Sequence, residues 1–305
     1  MTRNIDISSQ TIEIGVVSGI NNVTDEARLE PRQLVYAYNI DISNIGRPAR
    51  RAGTVKKVTP SGSIHSMWGD GKNCFFVDDG NLKKLNEDYT STTIRSNVSD
   101  YHMNFCEVND QYYYTNPAVI GYVYNGVSNP LSTTTEEHKH ALLPGQHIEY
   151  YNGRLYVARN ETIWYSDVNY LGQVDRRKNF IQFENEITMM KAVDNGLWIC
   201  CGDIDRQVTY FMGGATREDF VRKRVADYGC REGSEVTIKD GKKVGEGLEG
   251  TVIMWATDKG ICIGANSGQF INVTDKKFHY PAKRFGAGLF REIDGLAQYI
   301  STLWE

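Results

Sequence analysis

His138 and His140 are the only closely spaced histidines. In EEHKHALLPG they stand beside Glu136 and Glu137, a set of nitrogen and oxygen donors able in principle to hold a metal. No matching His or Cys pair at ligand spacing accompanies them, and a polar loop accounts for the cluster without a metal. Asp78 with Asp79, Asp203 with Asp205, and Glu107 with Asp110 offer carboxylate pairs of the kind that glycoside hydrolysis uses. Each pair lies in a turn-like stretch, and acidic residues that shape turns are the better explanation. No GxGxxG leads from a strand into a helical run, and there is no P-loop and no GxSxG elbow, so neither a nucleotide cradle nor a hydrolase signature is present. The expectation is a chain that is not an enzyme and carries no cofactor or metal.

Three basic groups remain: Arg47, Arg50 and Arg51 in NIGRPARRAG, Arg176 to Lys178, and Arg222 to Arg224. Each is able to contact phosphate, but acidic residues or turns flank each one, favouring a salt bridge or a solvated face. The aromatics, among them 18 Tyr and 5 Trp, raise the separate possibility of a sugar-stacking surface. Tyr112, Tyr150 and Tyr151 are its candidates, because adjacent tyrosines on a strand must point both ways. Trp68, Trp164, Trp198 and Trp255 fall inside strand-like runs, where filling a core is reason enough for their size.

The elements that must position these residues are short β-rich runs broken by Asp-Gly and Asn-Gly pairs: Asp70-Gly71, Asp79-Gly80, Asn125-Gly126, Asn152-Gly153, Asn195-Gly196, Asp240-Gly241 and Asp294-Gly295. Such pairs supply the positive φ that hairpin turns need. A unit recurs from Ser63, Tyr101, His147, Ile187 and Gly250, with starts about 38, 46, 40 and 63 residues apart. Most of these spacings are close to the 40 to 50 residues of a four-stranded blade. The second strand of each unit (CFFV, YYYT, LYVA, LWIC, ICIG) is apolar on both faces, as a strand between two neighbouring sheets must be.

The predicted fold is therefore all-β, a β-propeller of six blades with five to seven possible. Residues 59–305 form the blades and residues 1–58 an amino-terminal arm. The final hairpin is too short for four strands, so an amino-terminal strand from Leu34 to Ile42 or Arg51 to Val58 is expected to close the ring. The excursion from Gly214 to Glu249 reads either as an inserted loop or as most of another blade. A two-sheet sandwich is the competing architecture, but it does not account for repeated three-strand units.

Composition bounds the function. In 305 residues, 40% hydrophobic and 24% charged with 29 Gly and 7 Pro, there is material for a sizeable core and no sign of disorder or coiled coil. The net charge of −4 offers no long-range attraction for DNA or an anionic membrane. No apolar run is long enough to span a bilayer, and the opening MTRNIDISSQTIEIG lacks the apolar core of a secretory signal. Synthesis and folding in cytoplasm are expected, with Cys74, Cys106, Cys200, Cys201, Cys230 and Cys262 reduced and packed as small hydrophobes.

The amino-terminal stretch GINNVTDEARLEPRQLVYAYNIDISNIGRPARRAGT resembles the opening of many tailed-bacteriophage virion proteins. The matching residues are Asn21, Asn22, Leu34, Ala37, Asn39, Asp41, Ile42, Gly46, Arg50, Arg51 and Gly53. LLPGQHIEYYNGRLYVAR, WYSD and ITMMKAVDNGLWI are similar to later parts of such proteins. The resemblance implies a structural role in the tail or head-to-tail region, in the manner of propeller-bearing nozzle or hub proteins. It further implies a homo-oligomeric ring, other tail or connector proteins as partners, DNA only in passage, and a location in the virion. Asn21, Asn22, Arg47, Arg50 and Arg51 would then belong to a docking arm. A receptor- or glycan-binding propeller at the tail tip is the alternative, and a glycan hydrolase a third reading.

Overall fold

The computed structural model describes residues 15–43, 45–59, 62–134, 136–214, 218–280, 283–293 and 295–304. Five four-stranded antiparallel sheets follow one another along the chain. The first comprises Ile64–Gly69, Cys74–Asp78, Asn81–Leu85 and Ser91–Arg95, and the second Asn104–Val108, Gln111–Thr115, Ile120–Tyr124 and Val127–Asn129. The third comprises His147–Tyr151, Arg154–Arg159, Thr162–Tyr165 and Phe180–Gln182, and the fourth Ile187–Val193, Gly196–Cys201, Val208–Gly213 and Val221–Ala226. The fifth comprises Val236–Ile238, Val252–Thr257, Gly260–Gly264 and Phe270–Asn272. A two-stranded hairpin, Phe285–Ile293 with Leu296–Trp304, ends the described chain.

Local turn chemistry explains the meander. Asp79-Gly80, Asn125-Gly126 and Asn152-Gly153 each hold both residues at positive φ, as a two-residue turn matched to the right-handed twist of its strands requires. Two expected turns differ. Gly196 is not at positive φ and begins a strand instead, and Asp240 caps a short 3-10 turn over Gly241–Lys243, its side chain accepting from the Lys242 N–H. Asp294 lies outside the described residues.

The sheets stand side by side as blades, with a separate apolar layer between each pair. Phe75, Val77, Phe105 and Tyr112 join the first to the second. Val108, Tyr113, Ile148 and Val157 join the second to the third, and Tyr156, Ile163, Met190 and Ile199 the third to the fourth. Met189, Trp198, Ile253 and Trp255 join the fourth to the fifth. Val252, Ile263, Phe290 and Tyr299 attach the hairpin to the fifth. The second strands, apolar on both faces in the sequence, are buried on both faces here: Gly196–Cys201 is buried throughout. Successive layers of this kind around one axis define a β-propeller and leave no place for two stacked sheets.

The excursion from Gly214 to Glu249 is neither an inserted loop nor an extra blade. Its first strand, Val221–Ala226, is the outer strand of the fourth blade. Its second, Val236–Ile238, pairs with Val252–Thr257 in the fifth. The expected backbone ladder between an amino-terminal strand and the last hairpin is not among the described pairings. Gln33–Leu34 pairs in parallel with Gly19–Ile20, and Ile40–Ile42 pairs with Pro48–Arg50. The amino-terminal segment meets the end of the chain through side chains instead, with Arg291 Nη2 donating to Asp41 Oδ2 at 3.3 Å.

Candidate functional site

The first strands of three successive blades each carry a single charged residue: Glu107, Glu149 and Lys191. The fold turns these toward a common centre. Lys191 Nζ donates to Glu149 Oε1 at 2.8 Å, and both side chains are about nine-tenths buried. Burial pushes the Glu149 carboxyl up, against the opposing pull of Lys191. The two carboxylates of Glu149 and Glu235 hold the Lys191 ammonium above its ordinary value despite the burial that opposes it.

Glu235 arrives on the segment from Cys230 to Lys239, which leads into Val236–Ile238, the edge strand of the fifth blade. At its start the Arg231 N–H bonds Ala256 O of the fifth blade. The carbonyls of Glu232 and Gly233 then accept from the N–H groups of Gly286 and Gly288 on the hairpin. At its end Lys239 Nζ reaches Glu107 Oε2 of the second blade at 3.2 Å. The segment thus links the fifth blade, the hairpin and the second blade. Gly233 sits at φ +89°, and a Cβ there would stand 2.3 Å from Gly286 O, so this close approach needs glycine.

Next to the start of this segment lies a cavity of about 320 Å³ lined by Gln146, Glu186, Thr188, Asp203, Gln207, Arg231, Glu232 and Arg284, with Ile187 and Ile204 as its apolar walls. Arg231 is 1% exposed. Its Nη1 donates to Gln207 Oε1 at 3.3 Å, and Nη2 stands 3.7 Å from Asp258 Oδ1. Burial and the neighbouring Glu235 push the Glu232 carboxyl up to about 7, with Arg284 pulling the other way.

The residues singled out in the sequence are dispersed. Asn21 is buried, and its side chain organises its own turn through the Val23 and Thr24 N–H groups, Thr24 Oγ1 and Gln33. Asn22 exchanges two hydrogen bonds with the backbone of His279. Arg47 and Arg50 are exposed, whereas Arg51 pairs with Asp41 at 3.0 Å. Tyr112 is no stacking platform: it is 8% exposed, its ring packs against Trp68 and Phe75, and its hydroxyl donates to Asp70. Tyr150 and Tyr151 lie against two different interblade cores, since consecutive strand residues face opposite ways, so they share no surface.

Among the described residues no group of three or more His, Cys, Asp or Glu is placed to hold a metal. His138 pairs with Glu137, while His140 lies in a small strand, Lys139–Ala141, laid against Gln173–Asp175. The carboxylate pairs are likewise engaged separately. Asp78 binds Lys83 at 2.7 Å, Asp79 makes a turn, and Glu107 takes Lys239. Arg177, Arg222 and Arg224 form ion pairs with Asp175, Glu184 and Asp227. All six cysteines are free thiols. Arg231, Glu232, Glu149, Lys191 and Glu235 escape sequence reasoning. For Glu149 and Lys191 the available signal is a lone charged residue in a first strand, whereas Arg231, Glu232 and Glu235 lie outside the strands and carry none.

The chain is therefore an all-β propeller. No protein-family model matches it, and no curated protein matches it. Similar solved structures include the WD40 β-propeller domain of Doa1, 11% identical over 75% of this chain and 73% of that one, with a TM-score of 0.48. The N-terminal domain of Nup159 is 12% identical over 77% of this chain and 72% of that one, with a TM-score of 0.47. No helix among the described residues is long and apolar enough to cross a membrane.

Proposed function

We propose that this chain is a structural component of a tailed-phage virion. Copies assemble as a ring in the tail or head-to-tail connection, nozzle- or hub-like, with other tail or connector proteins as neighbours, and support the retention or passage of DNA. The role is mechanical rather than catalytic.

The observation that carries this reading is the surface of the amino-terminal segment, one of the parts of the sequence that resemble virion proteins. Tyr36, Tyr38 and Val55 are each about three-quarters exposed, with Ile45 close behind, in a segment that also exposes Arg47 and Arg50. Exposed aromatics and arginines are the side chains that protein interfaces favour. Asn22 and Asp41 meanwhile tie the segment to His279 and Arg291 of the same chain, which presents it from a fixed base.

In such an assembly DNA passes through the opening within a ring of copies, and the net charge of −4 keeps that opening from gripping phosphate through a general basic field. Electron microscopy of intact particles tests the proposal. Density for a propeller repeated with defined symmetry at the tail or connector is the expected result, and the protein's absence from purified particles overturns it.

A further inference from the structure

We propose that the cavity at Arg231 binds a small zwitterion of amino-acid or dipeptide size. This goes beyond the virion reading and does not depend on it. At about 320 Å³ the cavity is near the lower end of the range for small-molecule sites.

Its floor carries the first half of the argument. A guanidinium has five N–H donors, yet the buried Arg231 makes one long hydrogen bond to Gln207 and a 3.7 Å approach to Asp258. Its Nε has no acceptor among the described residues, and neither does Thr188 Oγ1. A buried cation is costly unless its donors are used, and the guanidinium fork is shaped for a carboxylate. Arg284 at the rim adds a second positive group on the same cavity.

The opposite charge carries the second half. Glu186, Asp203 and Glu232 line the same space, and Glu232 is half-buried in surroundings that already strain its ionised form. An ammonium group placed there relieves that strain. Two cations disfavour a metal ion, and three carboxyl groups disfavour a phosphate. Among the described residues no aromatic ring lines the cavity, so a sugar has nothing there to stack on. A molecule joining one carboxylate to one ammonium meets both halves. The loop carrying Asp203 is held by Gly202 at φ +110°, where a Cβ would stand 2.3 Å from Arg206 O, so the cavity wall is set by backbone.

Calorimetry and saturation-transfer NMR on the full chain test this with L-alanine, L-glutamine and L-alanyl-L-alanine. N-acetyl-L-alanine, L-alaninamide, glucuronate and inorganic phosphate serve as comparators. At least one zwitterion should bind with a Kd of about 1 mM or tighter, and blocking either of its charges should weaken binding about tenfold or more. Arg231→Lys should abolish binding. Because that variant alters a buried site, Arg284→Gln and Thr188→Val are measured beside it and should weaken binding severalfold with an unchanged melting temperature. The proposal is overturned if no zwitterion binds, if glucuronate or phosphate binds more tightly, or if neither Arg284→Gln nor Thr188→Val alters affinity.

Discussion

Lys191 and Glu149, 42 residues apart, meet at 2.8 Å between the first strands of the third and fourth blades. Neither is a surface pair. Removing one partner leaves an uncompensated charge in a nearly dry site, so Lys191→Met is expected to destabilise the fold by about 3–5 kcal/mol. The double variant Lys191→Met/Glu149→Leu should recover much of that loss. Urea unfolding of the three proteins measures both values; equal stability of the single and double variants would show that the pair is not coupled.

Replacing the hydrogen of Gly264 by a methyl group places Cβ 2.5 Å from Trp198 Cε2. The indole cannot easily retreat, since it is fully buried and its Nε1 donates to Ala265 O at 3.1 Å. Gly264→Ala should therefore cost about 1–3 kcal/mol through overpacking. The expected signature is a lower denaturation midpoint at an unchanged slope.

Two buried groups give opposite pH dependences. Burial, with Lys191 and His102 nearby, lowers the His147 imidazole from its ordinary 6.5 to about 3. The unfolded chain then binds a proton that the folded chain refuses. This contribution to stability is complete above about pH 6.5 and is lost as pH falls toward 3. Glu232, raised from 4.5 to about 7, behaves in reverse: its contribution is complete below about pH 4.5 and is lost as pH rises through 7. Glu232→Gln should remove the second dependence and leave the first. Thermal melts of both proteins at pH 5 and pH 8 should show the variant losing less stability on the alkaline side.

Arg47 and Arg50 project from the amino-terminal segment into solvent, whereas Arg51 is held by Asp41. Reversing the first two to Glu should change folding stability by no more than about 0.5 kcal/mol while preventing incorporation into particles. Arg51→Glu breaks an exposed pair and should cost about 0.2–1 kcal/mol. Particle co-sedimentation alongside thermal melts separates the two effects, and normal incorporation of the Arg47/Arg50 double variant would place the docking contact elsewhere.

Much of the propeller was legible because its signals are local. An Asn or Asp followed by Gly favours a tight hairpin whatever surrounds it, as at Asp79-Gly80 and Asn152-Gly153. A run such as LWICC has no polar residue to turn toward water, and is buried throughout. Burial on two sides and reversal at fixed intervals are properties of a few neighbouring residues, so they can be read from the chain in order.

Which groups face one another is a different kind of property. Nothing within a few residues of Val236 says that this strand joins the fifth blade, while Val221–Ala226 ends the fourth. The tyrosine pattern likewise did not reveal that Tyr112 points into the first interblade core, where Trp68 and Phe75 enclose it. Arg231 with Glu232, Thr188 and Arg284 bring three separate stretches of chain to one cavity. Composition and order determined an all-β chain of repeated hairpins. The wrapping of those hairpins around an axis decided its buried charges and its cavity, because Coulomb and packing energies depend on distance in space rather than separation along the chain.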